Sequence, residues 1–388
     1  MKRTIYFFLL IIFSRQSVAQ LKADTWPNNN WLEGFMTGGA SASTFRHFLL
    51  LPDGTLQIFA PGETAATFPG INHVKAISAG TFHMLALKDD GTVWAWGSND
   101  DRQLGNELLA KNEQRSDVPV QVTGIKNAVA ISAKGSNSYA LLANGTVWAW
   151  GNGNLGMTGD GKEITSSLTS AHWSGRPVPV QVKGITNAIA ISGPMALLAD
   201  GNIMTWGDGY YGALGNGSNE TTNAPVQVKV LSNAVAIAHR EHGALALLAD
   251  GTVWAWGSNI KGQLGTGSAN TGEDKFSNTP VKVTGIDNAI AIDAHNVCIA
   301  LLKDDTVKVW GWGAVGGMGS GTPGRNDING SPLTVPGITH AVAVKAGNGY
   351  GFALQKDGSL MGWGANMVAT GIYHQTWKPV KIIQITTP

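Results

Sequence analysis

Asp250-Gly251-Thr252-Val253-Trp254-Ala255-Trp256-Gly257 decides the fold. Its Asp-Gly pair stands between two apolar runs, the strongest short-range hairpin signal, and a two-residue turn there needs a positive φ that Gly supplies without steric cost. The phrase recurs as DGTLQIFA at Asp53, DGTVWAWG at Asp90, NGTVWAWG at Asn144, DGNIMTWG at Asp200, DDTVKVWG at Asp304 and DGSLMGWG at Asp357. Counted from the second residue of each phrase, the seven copies are 37, 54, 56, 50, 54 and 53 residues apart, a period of solenoids and propellers. In the sixth copy Asp305 replaces the Gly, and aspartate tolerates the left-handed region better than most residues.

Offsets from the turn separate core from surface. Five positions on, every copy is aromatic: Phe59, Trp96, Trp150, Trp206, Trp256, Trp310 and Trp363. Four positions before it every copy is Leu, from Leu50 to Leu354, and the residue six before it is apolar throughout. That period of two is a strand signature. Between those columns stand Ala86, Ala140, Ala196, Ala246, Ala300 and Ala353, kept small where a neighbouring sheet or its Trp packs closely. A run opened by Pro119, Pro179, Pro225, Pro280, Pro332 or Pro379 and a run of the NAVAIS type at Asn127, Asn187, Asn233, Asn288 and His340 complete the unit. Proline at the first position of a strand loses no ladder bond. Four short strands per repeat and seven repeats predict an all-β chain, a seven-bladed β-propeller of four-stranded blades. The last Pro-led run has no NAVAIS run after it and Trp31 to Thr37 has no Pro-led run before it, so the ring is expected to close by pairing of N- and C-terminal strands.

Composition agrees. There are 51 Gly among 388 residues, about 13% against a usual 7% or so, with only 14% charged residues, which excludes coiled coils and long helices. A hydrophobic share of 43% excludes a disordered chain, and one Cys excludes an internal disulfide. The formal charge of +1 gives no electrostatic reason to expect nucleic acid or an anionic membrane. Residues 1–19 have Lys2 and Arg3, the apolar run Ile5 to Phe13, and Ser17-Val18-Ala19, the three parts of a signal peptide cleaved near Ala19-Gln20. The run is too short to span a bilayer. We therefore expect a secreted or periplasmic protein without membrane insertion: residues 1–19 a signal peptide, 20–34 a short lead and 35–388 the propeller.

The NAVAIS run, the Ala-Leu run, DGTVWAWG, then Gly262-Gln263-Leu264-Gly265 and a Pro-Val run resemble the regulator-of-chromosome-condensation repeat. Related pieces of the Gly-Gln-Leu-Gly motif are Gln103-Leu104-Gly105, Asn154-Leu155-Gly156, Ala213-Leu214-Gly215 and Gly317-Met318-Gly319. The resemblance covers residues 35 to 388 and implies the propeller fold. It leaves function open, because that family includes nucleotide-exchange factors, a plant photoreceptor, ubiquitin-ligase modules and a secreted bacterial inhibitor. The Gly-Trp-Arg-His run of the photoreceptors is absent.

Other motifs dissolve into the repeat. GxGxxG at Gly151, Gly207 and Gly311 falls at one place in three repeats and opens no helix, and Glu163 stands where a phosphate loop needs Ser or Thr. No cofactor is expected. Cys298 lies in an apolar strand, and the nine His lack the spacing of metal ligands, so neither a catalytic nucleophile nor a metal site is expected. What varies between repeats is the loop joining the NAVAIS and Ala-Leu runs, and loops on a rigid scaffold carry recognition. The candidate partner-binding residues are Arg46, Phe82, His83, Asn137, Arg240, His242, His295 and Tyr350. A second set is Trp173, Tyr210, Tyr211 and Phe276. The function expected is non-catalytic binding of a protein or glycan through one rim. The resemblance implies an alternative, nucleotide exchange on a small GTPase, and an enzyme sited at the channel mouth comes third.

Overall fold

The computed structural model describes residues 32–37, 44–59, 65–109, 113–162, 175–267, 275–313, 316–321, 328–365 and 376–384. They form seven four-stranded antiparallel sheets, each built from four strands consecutive in the chain. Blade 5 is representative, with strands Ala234–Arg240, Gly243–Leu248, Val253–Ser258 and Phe276–Lys282. The first strands of neighbouring blades pack on one another around the axis, so the NAVAIS run is innermost and the Pro-led run outermost. The seven-bladed, four-stranded propeller read from the sequence is the fold.

Three local details differ from the sequence reading. The Asp-Gly connection has three residues: in blade 2 the Lys88 N–H donates to the Thr92 carbonyl at 2.9 Å, and Gly91 takes φ +76° as the last of Asp89, Asp90 and Gly91. This is a type I turn followed by a left-handed residue, and Asp90 accepts the Thr92 N–H at 2.9 Å. Asp305 holds the same position at φ +66° without glycine. The prolines lie inside the outer strands rather than at their starts: Pro119 is within Arg115–Gln121, where the register shifts between Ala95 and Gly97. An edge strand at a bulge has no ladder bond there for proline to lose.

The third difference is closure. The strand Thr376–Gln384 pairs with Ser359–Gly364 of its own blade, and blade 1 is complete in Leu32–Thr37, Thr44–Leu50, Leu56–Phe59 and Ala66–Thr67. No N-to-C strand pairing is present among the described residues. Ala66–Thr67 is the outer strand without the Pro-led signature, so the first repeat looked incomplete when it was whole. Leu32 also places the first blade's start inside the stretch read as a lead. The ends meet instead through side chains: Leu49 and Phe59 of blade 1 share a core with Phe352, Leu354 and Leu360 of blade 7.

Two contacts join blades elsewhere. The Trp column is buried, and in blades 3 to 7 the indole N–H donates to a carbonyl of the preceding blade's loop: Trp150 to Gln103 at 2.9 Å, Trp206 to Met157 at 3.1 Å, Trp256 to Ala213, Trp310 to Gln263 and Trp363 to Gly317, each at 3.0 Å. The buried Trp96 Nε1 of blade 2 has no hydrogen-bond partner among the described residues. The Ala column lies in the same cores as these indoles, as expected. Around the axis, the Ser of the innermost strand accepts a backbone N–H of the next blade. Ser78 takes Ala133 at 2.9 Å, Ser132 takes Gly193 at 2.8 Å and Ser192 takes His239 at 2.9 Å. Asp293 does the same for Ala346 at 2.9 Å.

Candidate functional site

The loop joining the first and second strands and the loop joining the third and fourth leave a blade on the same face, because alternate strands run in opposite directions. The described residues of both sets of sequence candidates therefore share one rim. Their side chains divide sharply.

Four of the eight candidates are buried and cannot reach a partner: His83, Asn137, Arg240 and Tyr350. His83, Arg240 and Tyr350 fill the ends of their own hairpins. A Cβ at Gly80 would overlap the His83 ring, and one at Gly347 would overlap the Tyr350 ring. In blade 5 the arrangement is reversed, with Arg240 filling the space over Gly243 from the opposite strand. The Arg240 guanidinium donates through Nη2 to the carbonyls of Trp256 at 3.0 Å and Ser258 at 2.6 Å. His83 sits 2.8 Å from the Ser138 hydroxyl through Nε2. That hydroxyl donates to the Gln103 carbonyl at 2.8 Å, so His83 must carry its proton on Nε2 and donate. Burial pushes the His83 pKa down to about 3, which keeps the ring neutral. His295 is largely buried as well, and burial holds its pKa at about 3. Arg46 stands opposite Phe35 in the blade 1 register, and its side chain lies outside the described residues, as does Trp173.

Phe82 and His242 remain accessible. Phe82 is 42% exposed at the hairpin tip of blade 2. His242, at the hairpin tip of blade 5, joins residues of the second set. The rings of Tyr210 and Tyr211 meet edge to face at 4.4 Å, Tyr211 lies 5.6 Å from His242, and Phe276 lies 6.3 Å from Tyr211. Tyr210 is 61% exposed. Two of these residues adopt left-handed backbone, Tyr211 at φ +58° and His242 at φ +54°, an unfavourable conformation for such side chains.

A shortened hairpin opens the rim beside this cluster. Seven positions separate Ala188 from Met195 in blade 4, against eleven from Ala234 to Leu245 in blade 5, although both pairs hold the same places in their sheets. Lys134 of blade 3 reaches over the step, its Nζ donating to the His239 carbonyl of blade 5 at 3.2 Å. The cluster is thus composed by loops of blades 4 and 5.

His242 is the titrating member. Its Nδ1 lies 3.5 Å from an Asp208 carboxylate oxygen. Asp208 raises the His242 pKa above its ordinary 6.5, and His242 in turn lowers that of Asp208 below 3.8. The histidine contribution to stability is complete below about 6.5 and fades as pH rises through the raised value. The Asp208 contribution is present above about 3.8 and fades as pH falls below it. The unfolding temperature of the parent, minus that of Asp208→Asn, should be greatest near pH 5 and shrink toward pH 8.5. The effect is modest because His242 is 39% exposed. A difference that grows with pH would contradict the pairing.

Among the described residues no group of three or more His, Cys, Asp and Glu is placed to hold a metal ion. Cys298 is fully buried, and burial pushes its thiol up to about 11, away from nucleophilic use.

Seven four-stranded blades, of which blades 3 to 7 are each stitched by a Trp to the Gly-rich loop of the blade before, define a repeat propeller. The sequence model of the RCC1-like domain matches residues 65–386, and the chain belongs to that family. The human E3 ubiquitin-protein ligase HERC2 is 29% identical over 319 residues, 79% of this chain and 6% of that protein. Pim1 of Schizosaccharomyces pombe is 27% identical over 185 residues, 43% of this chain and 33% of its own length. The chain therefore spans only a small part of HERC2. The solved structure of human WBSCR16 superposes with a TM-score of 0.71 at 20% identity, covering 82% of this chain and 85% of that one. Prp20p of Saccharomyces cerevisiae gives 0.70 at 20% identity, covering 93% and 88%.

One motif assignment shifts in this frame. The blade 3 counterpart of Gly262-Gln263-Leu264-Gly265 is Gly156-Met157-Thr158-Gly159, since Gly159 lies against Trp206 as Gly265 lies against Trp310. Asn154-Leu155-Gly156 is a single 3-10 turn three residues earlier, equivalent to Tyr210-Tyr211-Gly212 in blade 4. The sequence signal for the aromatic cluster was that substitution, two tyrosines where the neighbouring repeat has Asn-Leu.

Proposed function

We propose that the chain is an exported, non-catalytic propeller that binds a protein partner through the loop face carrying Tyr210, Tyr211, His242 and Phe276. The observation that carries this reading is an exposed aromatic cluster assembled from two blades, with Tyr210 at its most open point. Large aromatic groups held by rigid surroundings anchor protein interfaces. Family membership supports a protein as the kind of partner, since the Prp20p structure is described together with binding to Gsp1p and histones. The leader pattern of residues 1–19 supports export.

The test uses the chain from Gln20 onward as bait in native extracts, beside a Tyr210→Ala/Phe276→Ala bait. The parent should retain a partner that the double variant loses by about 30-fold or more, with thermal unfolding nearly unchanged. Equal retention by both baits would remove the cluster from the interface. Recovery of a small GTPase, with its nucleotide release accelerated by the parent, would replace this reading with exchange. Full-length protein that stays uncleaved in the cytosol would refute export.

A further inference from the structure

We propose that the Tyr210 patch receives a basic side chain, arginine above all, from an extended segment of the partner; this rests on the loop face being the binding surface. The aromatic faces present negative quadrupoles, and the loops that carry them also carry carboxylates. Glu241 is beside His242, with its side chain 66% exposed and one oxygen 4.0 Å from the imidazole. Asp208 lies two residues before Tyr210, and its Oδ1 accepts the Tyr210 N–H at 2.9 Å. Glu220 is exposed on the facing loop, where the Thr221 hydroxyl accepts the Gly209 N–H at 3.2 Å.

The cations nearby are fewer or engaged elsewhere. Lys275 adjoins Phe276 and is exposed, Lys261 lies over the Trp312 ring at 5.7 Å, and Arg240 is buried beneath the hairpin. His242 carries charge only when protonated, against Asp208. Two exposed carboxylates, Glu241 and Glu220, on the loops that carry the aromatic platform favour one class of occupant, Asp208 being engaged with His242 and the Tyr210 N–H. An acidic segment would meet like charge, and an apolar one would strip water from the carboxylates without replacing it. A guanidinium satisfies both features, because it stacks flat on a ring and donates in pairs to a carboxylate. The protein uses the same chemistry internally, with Lys88 over Trp94 at 5.6 Å.

The test titrates the chain from Gln20 onward into two fluorescein-labelled Gly/Ser peptides, identical except that one carries three arginines and the other three citrullines, which keep the shape but not the charge. Fluorescence anisotropy should show the arginine peptide binding about 10-fold more tightly. Tyr210→Ala should erase that preference. Glu241→Gln combined with Glu220→Gln should reduce it about 3-fold, whereas Glu107→Gln, which removes an exposed carboxylate from another loop, should leave it intact. Equal binding of the two peptides would overturn the proposal, as would an arginine preference that survives Tyr210→Ala. If the partner is lost from the Tyr210→Ala/Phe276→Ala bait but no arginine preference exists, the charge inference fails and the binding face stands. If that bait keeps its partner, the face itself is wrong.

Discussion

Gly215→Ala should lower stability by about 2–5 kcal/mol, read as a fall in the urea midpoint at unchanged slope. Two effects combine. The residue has φ +64°, a conformation that costs an L side chain about 1–2 kcal/mol. An added Cβ would lie 2.8 Å from the Trp256 Nε1 and 2.9 Å from its Cδ1, so either the indole shifts or its bond to the Ala213 carbonyl breaks. Overpacking of this kind costs about 1–3 kcal/mol. Gly124→Ala separates the two effects. Its φ is +77°, but nothing lies within 4 Å of an added Cβ, so it should lose only the backbone part, about 1–2 kcal/mol. Equal losses at the two glycines would mean that the approach of Gly215 to Trp256 contributes nothing to joining blades 4 and 5.

That contact shows which parts of the structure were readable beforehand. The Trp column and the Gly at the end of Gly-Gln-Leu-Gly were both visible as repeats. Their meeting across a blade boundary was not, because each belongs to a different copy of the motif. Strand count and strand type were legible because each of seven copies carried the same period of two. Closure was misread because Ala66–Thr67 has neither the length nor the proline of the other outer strands, so the unit was counted from the wrong end.

The candidate site was legible by face and not by side chain. Loop position put the first candidate set on one face, and the strand order brings the described members of the second set to that same face. Yet whether a hairpin residue points inward depends on what stands across from it. Gly80 opposite His83, Gly347 opposite Tyr350 and Gly243 opposite Arg240 are the trace of that choice: a glycine leaves room that the facing side chain fills. The Tyr210–Tyr211–Phe276 cluster spans 67 residues of sequence and depends on the backbone of one turn. The two tyrosines show in the sequence as a departure from the Asn-Leu of the neighbouring repeat, but no local pattern shows that His242 and Phe276 join them.

Arg240→Ala is therefore expected to act on the fold and leave the partner alone. The side chain is 1% exposed, and no carboxylate oxygen among the described residues forms a salt bridge with it. Its charge is held by carbonyl dipoles, those of Trp256 and Ser258. Removing it leaves two carbonyls short of a donor, at about 1–3 kcal/mol each, and empties the space over Gly243. Against that stands relief from burying a cation without a counter-ion, so the net loss should be about 3 kcal/mol. Arg240→Met should lose less, because it keeps most of the volume and also removes the buried charge. Measured well below the unfolding transition of either variant, partner affinity should match that of the parent. Tyr210→Ala should do the reverse, losing affinity at unchanged stability. If Arg240→Ala weakened binding without lowering the unfolding midpoint, the guanidinium would have to face the partner, and the hairpin packing described for blade 5 would be wrong.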